Sequence, residues 1–265
     1  MEQNKEFPKL LLQTMKVTRG RISTHEVFRD FIAYCALKLS VLTDPAHPER
    51  GEQLQKLLEK YEDNEQEAFE HAFREFASTV AQNVDNKIYD DLFSATYNEC
   101  YARNRDLKQD FSPSSVAQLM TQLAFAQGVE LPADGYFTVN DPTCGSGTLL
   151  LTIAEKLVNN RLNPSVHLVV QASDLDICCA QMTYFHLSLY GIPAVVVHGD
   201  VLTLKEYSRW YTPAYLLGKW IWREPMPFGM ARNESGERLK MLDEPMYAKF
   251  RQVERVFKKK EDESA

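Results

Sequence analysis

Asp141-Pro142-Thr143-Cys144-Gly145-Ser146-Gly147-Thr148 decides the fold of this chain, because an apolar segment, Tyr136 to Val139, leads into it and a helical segment, Leu149 to Asn160, leaves it. Strand, glycine turn and helix N-terminus follow one another. Gly145 and Gly147 can take φ > 0 and let a ligand approach the backbone with no Cβ in the way, while the helix opening near Thr148 offers unpaired N–H groups to an anion. The spacing predicts a seat for a carboxylate or a phosphate. It matches neither common nucleotide fingerprint: Leu150 stands where the dinucleotide pattern wants a third glycine, and the Gly-Lys-Ser/Thr of a P-loop is missing.

Working outward, two more short β-rich runs, Leu168 to Ala172 and Ala194 to Val197, repeat the first, and each of the three ends at an acidic residue, Asp141, Asp174 or Asp200. Helical stretches, Leu149 to Asn160 and Ile177 to Tyr190, lie between them. This is an α/β pattern, a parallel sheet with right-handed crossovers and half of a Rossmann-like fold. Ligands of such sheets bind outside the carboxyl ends of the strands, where the three acids stand. Asp176 is read as the cap of the following helix, and His186 and His198 as satisfied structural histidines.

Residues 1–105 read as an all-helical region. Ser23 with Glu26 suggests a capping box, and Val27, Phe28, Phe31, Ile32, Cys35 and Leu39 recur at helical spacing over Thr24 to Leu42. Pro45 and Pro48 break that helix. Leu54, Leu57 and Leu58, then Phe69, Ala72, Phe73, Phe76, Ala77 and Val80, mark further amphipathic helices, and Ile88, Leu92, Phe93, Tyr97, Cys100 and Tyr101 mark another. Their apolar faces are bundle core. Residues 106–257 read as the α/β domain and 258–265 as a solvated, charged tail.

Composition is ordinary globular, 44% hydrophobic and 25% charged over 265 residues. No stretch approaches the roughly 18 apolar residues of a membrane span, and Met-Glu-Gln-Asn-Lys-Glu lacks the order of a signal peptide, so the expectation is a cytoplasmic protein. Five cysteines (Cys35, Cys100, Cys144, Cys178, Cys179) with no Cys-x-x-Cys spacing suggest neither a disulfide framework nor a zinc site. A net charge of −7 gives no electrostatic drive toward a polyanion, which argues against tight nucleic-acid binding by this chain alone.

Ahead of the first strand, in Gln109-Asp110-Phe111-Ser112-Pro113, Ser112 can cap and Pro113 can open the helix carrying Val116, Leu119, Met120 and Leu123. Four pieces now stand in register: Phe111-Ser112-Pro113, Asp141 to Gly147, Asp174 in Ser-Asp-Leu-Asp, and Gly199-Asp200-Val201-Leu202. Together the chain resembles adenine-N6 DNA methyltransferases of the kind found as modification subunits of type I restriction systems, over about Asp106 to Leu204. The resemblance implies a Rossmann-like class I S-adenosylmethionine-dependent methyltransferase core behind an all-helical region, with S-adenosylmethionine or S-adenosylhomocysteine as cofactor. It places the cofactor's methionine carboxylate on the backbone N–H groups around Gly145 to Gly147 and its ammonium near Asp141, with Thr143 and Cys144 of the same turn also at the cofactor. Asp174 accepts from the ribose hydroxyls, Asp200 accepts from the adenine amino group, and Phe111, with Ser112 and Pro113, packs beside the cofactor.

The chain departs from the family at the catalytic element, Asn/Asp-Pro-Pro-Tyr/Phe, whose polar group accepts from the target amine and whose ring stacks on the flipped base. The nearest strings, Glu224-Pro225-Met226-Pro227-Phe228 and Asp243-Glu244-Pro245-Met246-Tyr247, split the prolines or lack a pair. The sheet therefore reads as truncated, with Tyr211 to Trp222 as one more strand or an interaction surface. Two readings follow: a cofactor-binding protein inactive alone, acting in DNA modification or antirestriction, or an adenine-N6 DNA methyltransferase whose base-binding element is degenerate or supplied by another chain. A small-molecule methyltransferase is the distant third. Tyr207, Trp210, Tyr211, Trp220 and Trp222 suggest a homodimer or other restriction-modification subunits as partners, with DNA held weakly or through a partner; alternatively they close the domain's own core.

Overall fold

The computed structural model describes residues 6–101 and 111–220. Gln109 and Asp110, Ile221 and Trp222, both proline-containing strings and the tail from Lys258 lie outside the described residues.

Five helices come first: α1 (Glu6–Thr14), α2 (Thr24–Thr43), α3 (Glu49–Leu58), α4 (Asp63–Asp85) and α5 (Ser94–Tyr101). Ser23 caps α2 through Glu26 N, and Asp44 ends it just before Pro45. Glu62 and Glu65 make a reciprocal capping box at the start of α4. Ile88, Leu92 and Phe93 do not belong to the helix expected to contain them: α5 begins only at Ser94, because the Asp91 carboxylate accepts from Phe93 N and Ser94 N and so sets the N-terminus there.

The remainder is α6 (Ser114–Ala124), β1 (Phe137–Asp141), α7 (Thr148–Asn159), α8 (Pro164–His167), β2 (Leu168–Asp174), α9 (Ile177–Leu189), β3 (Ala194–Asp200), β4 (Lys205–Tyr211) and α10 (Pro213–Leu217). Among the described residues the strands form one sheet in the order β1-β2-β3-β4, with β1, β2 and β3 parallel. Two βαβ units in succession give a Rossmann-like α/β fold, as the acid-terminated runs predict. At the start of α6 the reading shifts by one residue: Pro113, with ψ 144°, is the N-cap instead of the first helical residue, and Ser112 does not cap.

The fourth strand lies before the segment expected to supply it. Lys205–Tyr211 folds back antiparallel on β3 through a turn in which Leu204 takes φ 55°, and Thr212 then caps α10. Charged residues at its exposed start hide this strand in the sequence, while its burial rises toward Trp210 and Tyr211.

Side-chain alternation sorts the sheet into two faces. Leu168, Val170, Ala172, Ala194, Val196 and Trp210 join the main core, which continues without a break into the helical region through Phe28, Phe76, Phe93 and Phe185. Phe76 and Phe93 stack at 4.6 Å, and Phe76 lies 4.9 Å from Phe185. Burying each such side chain contributes about 1.5–3 kcal/mol before conformational entropy is subtracted. The opposite face, Tyr136, Val169, Val195 and Tyr211, is covered by Tyr215 and Trp220. Trp210, Tyr211 and Trp220 are thus core residues and not an exposed surface; of the described aromatics suggested for a partner, Tyr207 alone is exposed.

A buried cation joins the helices to β4. Arg50 on α3 donates to Ser40 Oγ, to Asp44 Oδ2 at 3.1 Å and to the Arg209 carbonyl, and its guanidinium lies 3.9 Å from the centre of the Trp210 ring. Asp44 is fully buried and also meets His47 Nδ1 at 2.7 Å.

Candidate functional site

The three strand ends and the glycine turn enclose a cavity of about 690 Å³, a volume suited to a nucleoside-sized ligand. Its wall includes Phe111, Met120, Asp141, Thr143 to Ser146, Thr148, Asp174 and Gly199 to Leu202, and among the described residues no lysine, arginine or histidine lines it.

Positive φ builds the turn. Gly145 has φ 55° and Gly147 φ 88°, and a Cβ on Gly145 would stand 2.9 Å from the Phe111 ring. Phe111 packs edge-on against Tyr97 of α5 at 4.6 Å, so the turn lies under two aromatic rings. A Cβ on Gly147 would stand 3.1 Å from Thr183 Oγ1, whose hydroxyl donates to the Gly145 carbonyl.

The expected donors of the turn are largely engaged within the protein. Cys144 N donates to the Ser173 carbonyl, Gly145 N to Asp174 Oδ2 at 2.9 Å, and Gly147 N to the Cys144 carbonyl. Among the described residues, the amides of Ser146, Thr148 and Leu149 make no hydrogen bond, and all three residues line the cavity. An anion would therefore meet the first turn of α7 and not the glycine amides.

Each acid has an internal duty as well as a place at the wall. Asp174 Oδ1 accepts from Asp176 N while Oδ2 holds Gly145 N, so both oxygens are already engaged within the protein. Burial, above all, raises its carboxyl above the ordinary carboxylate range. Asp141 Oδ1 accepts from Thr143 N, and its carboxyl is raised by burial and then by neighbouring Asp174. Asp200 accepts from Leu202 N and Thr203 N, and the Thr203 hydroxyl and these amides hold its carboxyl low. Asp176 caps α9 through Cys178 N as its position suggests. The Cys144 thiol is buried and its pKa is pushed up by that burial, so it is not a thiolate nucleophile.

Behind the turn lies a buried network. Asp91 Oδ2 accepts from the Ser146 hydroxyl and, at 2.6 Å, from the Thr148 hydroxyl. His186, with no solvent exposure, accepts from Leu92 N at Nε2 and donates from Nδ1 to the Ser146 carbonyl. That pattern fixes a neutral imidazole, and burial lowers its pKa further. Burial alone would raise the Asp91 carboxyl; the Ser146 and Thr148 hydroxyls and the Phe93 amide that it accepts from oppose this, and the group is held low.

The structure brings Phe111, Ser112, Asp141, Thr143, Cys144, Gly145, Asp174 and Asp200 to one cavity. Pro113 and Gly147 do not line it; Pro113 starts α6, and Gly147 faces Thr183 behind the turn. Sequence reasoning missed Asp91, Thr183 and the part played by the Ser146 hydroxyl. A signal for the first existed in Asp91-Leu92-Phe93-Ser94, an acid placed to cap a helix start.

No family model matches the chain, and no curated protein matches it. Among solved structures, a Listeria monocytogenes protein assigned to the class I S-adenosylmethionine-dependent methyltransferases aligns with 73% of this chain and 52% of its own, at 15% identity and a TM-score of 0.42. A type I restriction-modification system methyltransferase subunit from Streptococcus thermophilus aligns with 72% of this chain and 57% of its own, at 14% identity and a TM-score of 0.35. The chain spans little more than half the length of either protein.

Proposed function

We propose that this chain binds S-adenosylmethionine in the cavity at the strand ends, as a relative of the adenine-N6 DNA methyltransferases that does not methylate DNA by itself. The observation that carries the reading is the convergence of Phe111, the Asp141 to Thr148 turn, Asp174 and Asp200 on one cavity, since each lies in a separate motif of the resemblance. The donor set suits the cofactor: free amides at the start of α7 for a carboxylate, and acidic side chains for an ammonium group and for hydroxyl donors. The methyl group and its leaving sulfur are what the cofactor supplies; the residues described here hold and orient it. Transfer to adenine would need the missing polar-Pro-Pro-aromatic element, and the 265 residues contain no such string.

Calorimetry and thermal melting with S-adenosylmethionine test the reading. At a hundred times the dissociation constant, a ligand of the native state adds about 2.7 kcal/mol, a rise of roughly 5 to 10 °C for a chain of this size. No heat and an unmoved melting curve at millimolar cofactor would refute it. Labelled methyl transfer to duplex DNA by the pure protein is expected to be absent.

One observation favours the second reading, an active enzyme whose base-binding element comes from another subunit. Met120, Leu175 and Leu202, at 48%, 63% and 91% exposure, rim the cavity with apolar surface suited to a second macromolecule. Methyl transfer that appears only on adding other restriction-modification subunits would select it.

A further inference from the structure

We infer that Asp91 is a specificity-determining residue: by taking both hydroxyl protons of Ser146 and Thr148, it makes Thr148 an obligate acceptor and tunes the cavity for the amino-acid end of its ligand. The inference rests on the cofactor reading above and adds a residue from the helical region to it.

A threonine hydroxyl has one proton and two acceptor lone pairs. The Thr148 proton points at Asp91 Oδ2, 2.6 Å away, and the Ser146 proton points at the same oxygen. The two hydroxyl oxygens lie 3.1 Å apart with no proton left to share between them. Asp91 cannot turn away, because its other oxygen accepts from Phe93 N at 2.9 Å and Ser94 N at 3.0 Å and its side chain is almost wholly buried. Ser146 is further fixed through its carbonyl, which His186 holds.

Thr148, half-buried, is among the residues that line the cavity, and with its proton on Asp91 its hydroxyl has lone pairs only to offer, beside the amides of Thr148 and Leu149, which are donors only. Acceptors and donors side by side match a zwitterion: the ammonium meets the hydroxyl oxygen and the carboxylate meets the amides. A hydroxyl free to rotate would serve either group and select neither. The ligand class is thus a nucleoside carrying an α-amino acid, and Asp91 acts by position without touching it.

Asp91→Asn isolates the effect. Asn keeps an oxygen for Phe93 N and Ser94 N and is itself a good N-cap, but it turns an amide toward the hydroxyls, which must then accept from it and direct their own protons elsewhere. Calorimetry compares the parent, Asp91→Asn, Thr148→Val and Thr148→Ser with three ligands: S-adenosylmethionine, S-adenosylhomocysteine and 5′-methylthioadenosine, which lacks the amino-acid end. Asp91→Asn and Thr148→Val should bind the first two about tenfold or more weakly. Thr148→Ser should restore parental affinity, and 5′-methylthioadenosine should bind all four alike. Equal losses for all three ligands would reveal a merely structural role and overturn the inference, as would unchanged affinities. A parent that binds 5′-methylthioadenosine as tightly as S-adenosylhomocysteine would overturn it while leaving the nucleoside site standing. A parent that binds none of the three ends both readings. If circular dichroism shows Asp91→Asn unfolded, the comparison of Thr148→Val with Thr148→Ser decides.

Discussion

Gly145→Ala places the first new atom of the side chain in the tightest part of the site. The residue sits at φ 55°, and left-handed backbone costs an L-residue about 1–2 kcal/mol. The added Cβ would stand 2.9 Å from Phe111 Cδ1 and 3.1 Å from Cε1, and Tyr97 backs that ring at 4.6 Å. Overpacking of this kind costs about 1–3 kcal/mol, so the sum is roughly 2–5 kcal/mol, or a melting temperature lower by about 5 to 15 °C. Gly128→Ala separates the two contributions. Gly128 has the less favourable φ of 105° but nothing within 4 Å of its Cβ position. Differential scanning calorimetry of Gly145→Ala, Phe111→Ala and the double variant measures the contact directly: the double variant should cost about 1–2 kcal/mol less than the two single changes added together. Strict additivity, or a Gly145→Ala no worse than Gly128→Ala, would refute the claim that Phe111 rests on the turn.

Asp174→Ala removes the acceptor of Gly145 N and Asp176 N, and even after relief of a buried charge it should destabilise the ligand-free fold by about 2–3 kcal/mol; chemical denaturation with an unshifted midpoint would show that the turn holds its shape without the carboxylate. Neutral, buried His186 makes stability fall with acid. Its folded-state pKa lies below its ordinary value of about 6.5, so the contribution is complete above that pH and is lost as the pH falls through the folded value. Melting curves from pH 8 to pH 5 should show this decline in the parent and a flatter one in His186→Gln, whose amide oxygen can still accept from Leu92 N; identical slopes would place the titration elsewhere.

The sequence makes the βαβαβ frame legible for a physical reason. Apolar runs ending in Asp141, Asp174 and Asp200, with glycines where φ must be positive, are local signals that tertiary contacts reinforce. β4 was not legible because Lys205, Glu206 and Tyr207 face water, and only its last residues reach the core. The roles of the turn amides were misjudged for a different reason. Gly145 N could be assigned to a ligand only by ignoring Asp174, and Asp174 reaches it from another strand. Asp91 lies 55 residues before Ser146, and no spacing rule connects a loop in the helical region to a hydroxyl on the turn.

Arg50 has a consequence for the edges of the sheet. An edge strand exposes backbone groups that invite another chain to pair, and a charge set against the edge is one way to prevent it. The Arg209 carbonyl of β4 is taken by a guanidinium that Asp44 and the Trp210 ring hold in place, and a carbonyl so engaged is closed to a neighbouring strand. β1, the other edge among the described residues, pairs there with β2 alone. Strand addition at the β4 edge, whether it would build an assembly or seed aggregation, is therefore opposed by a residue of the helical region.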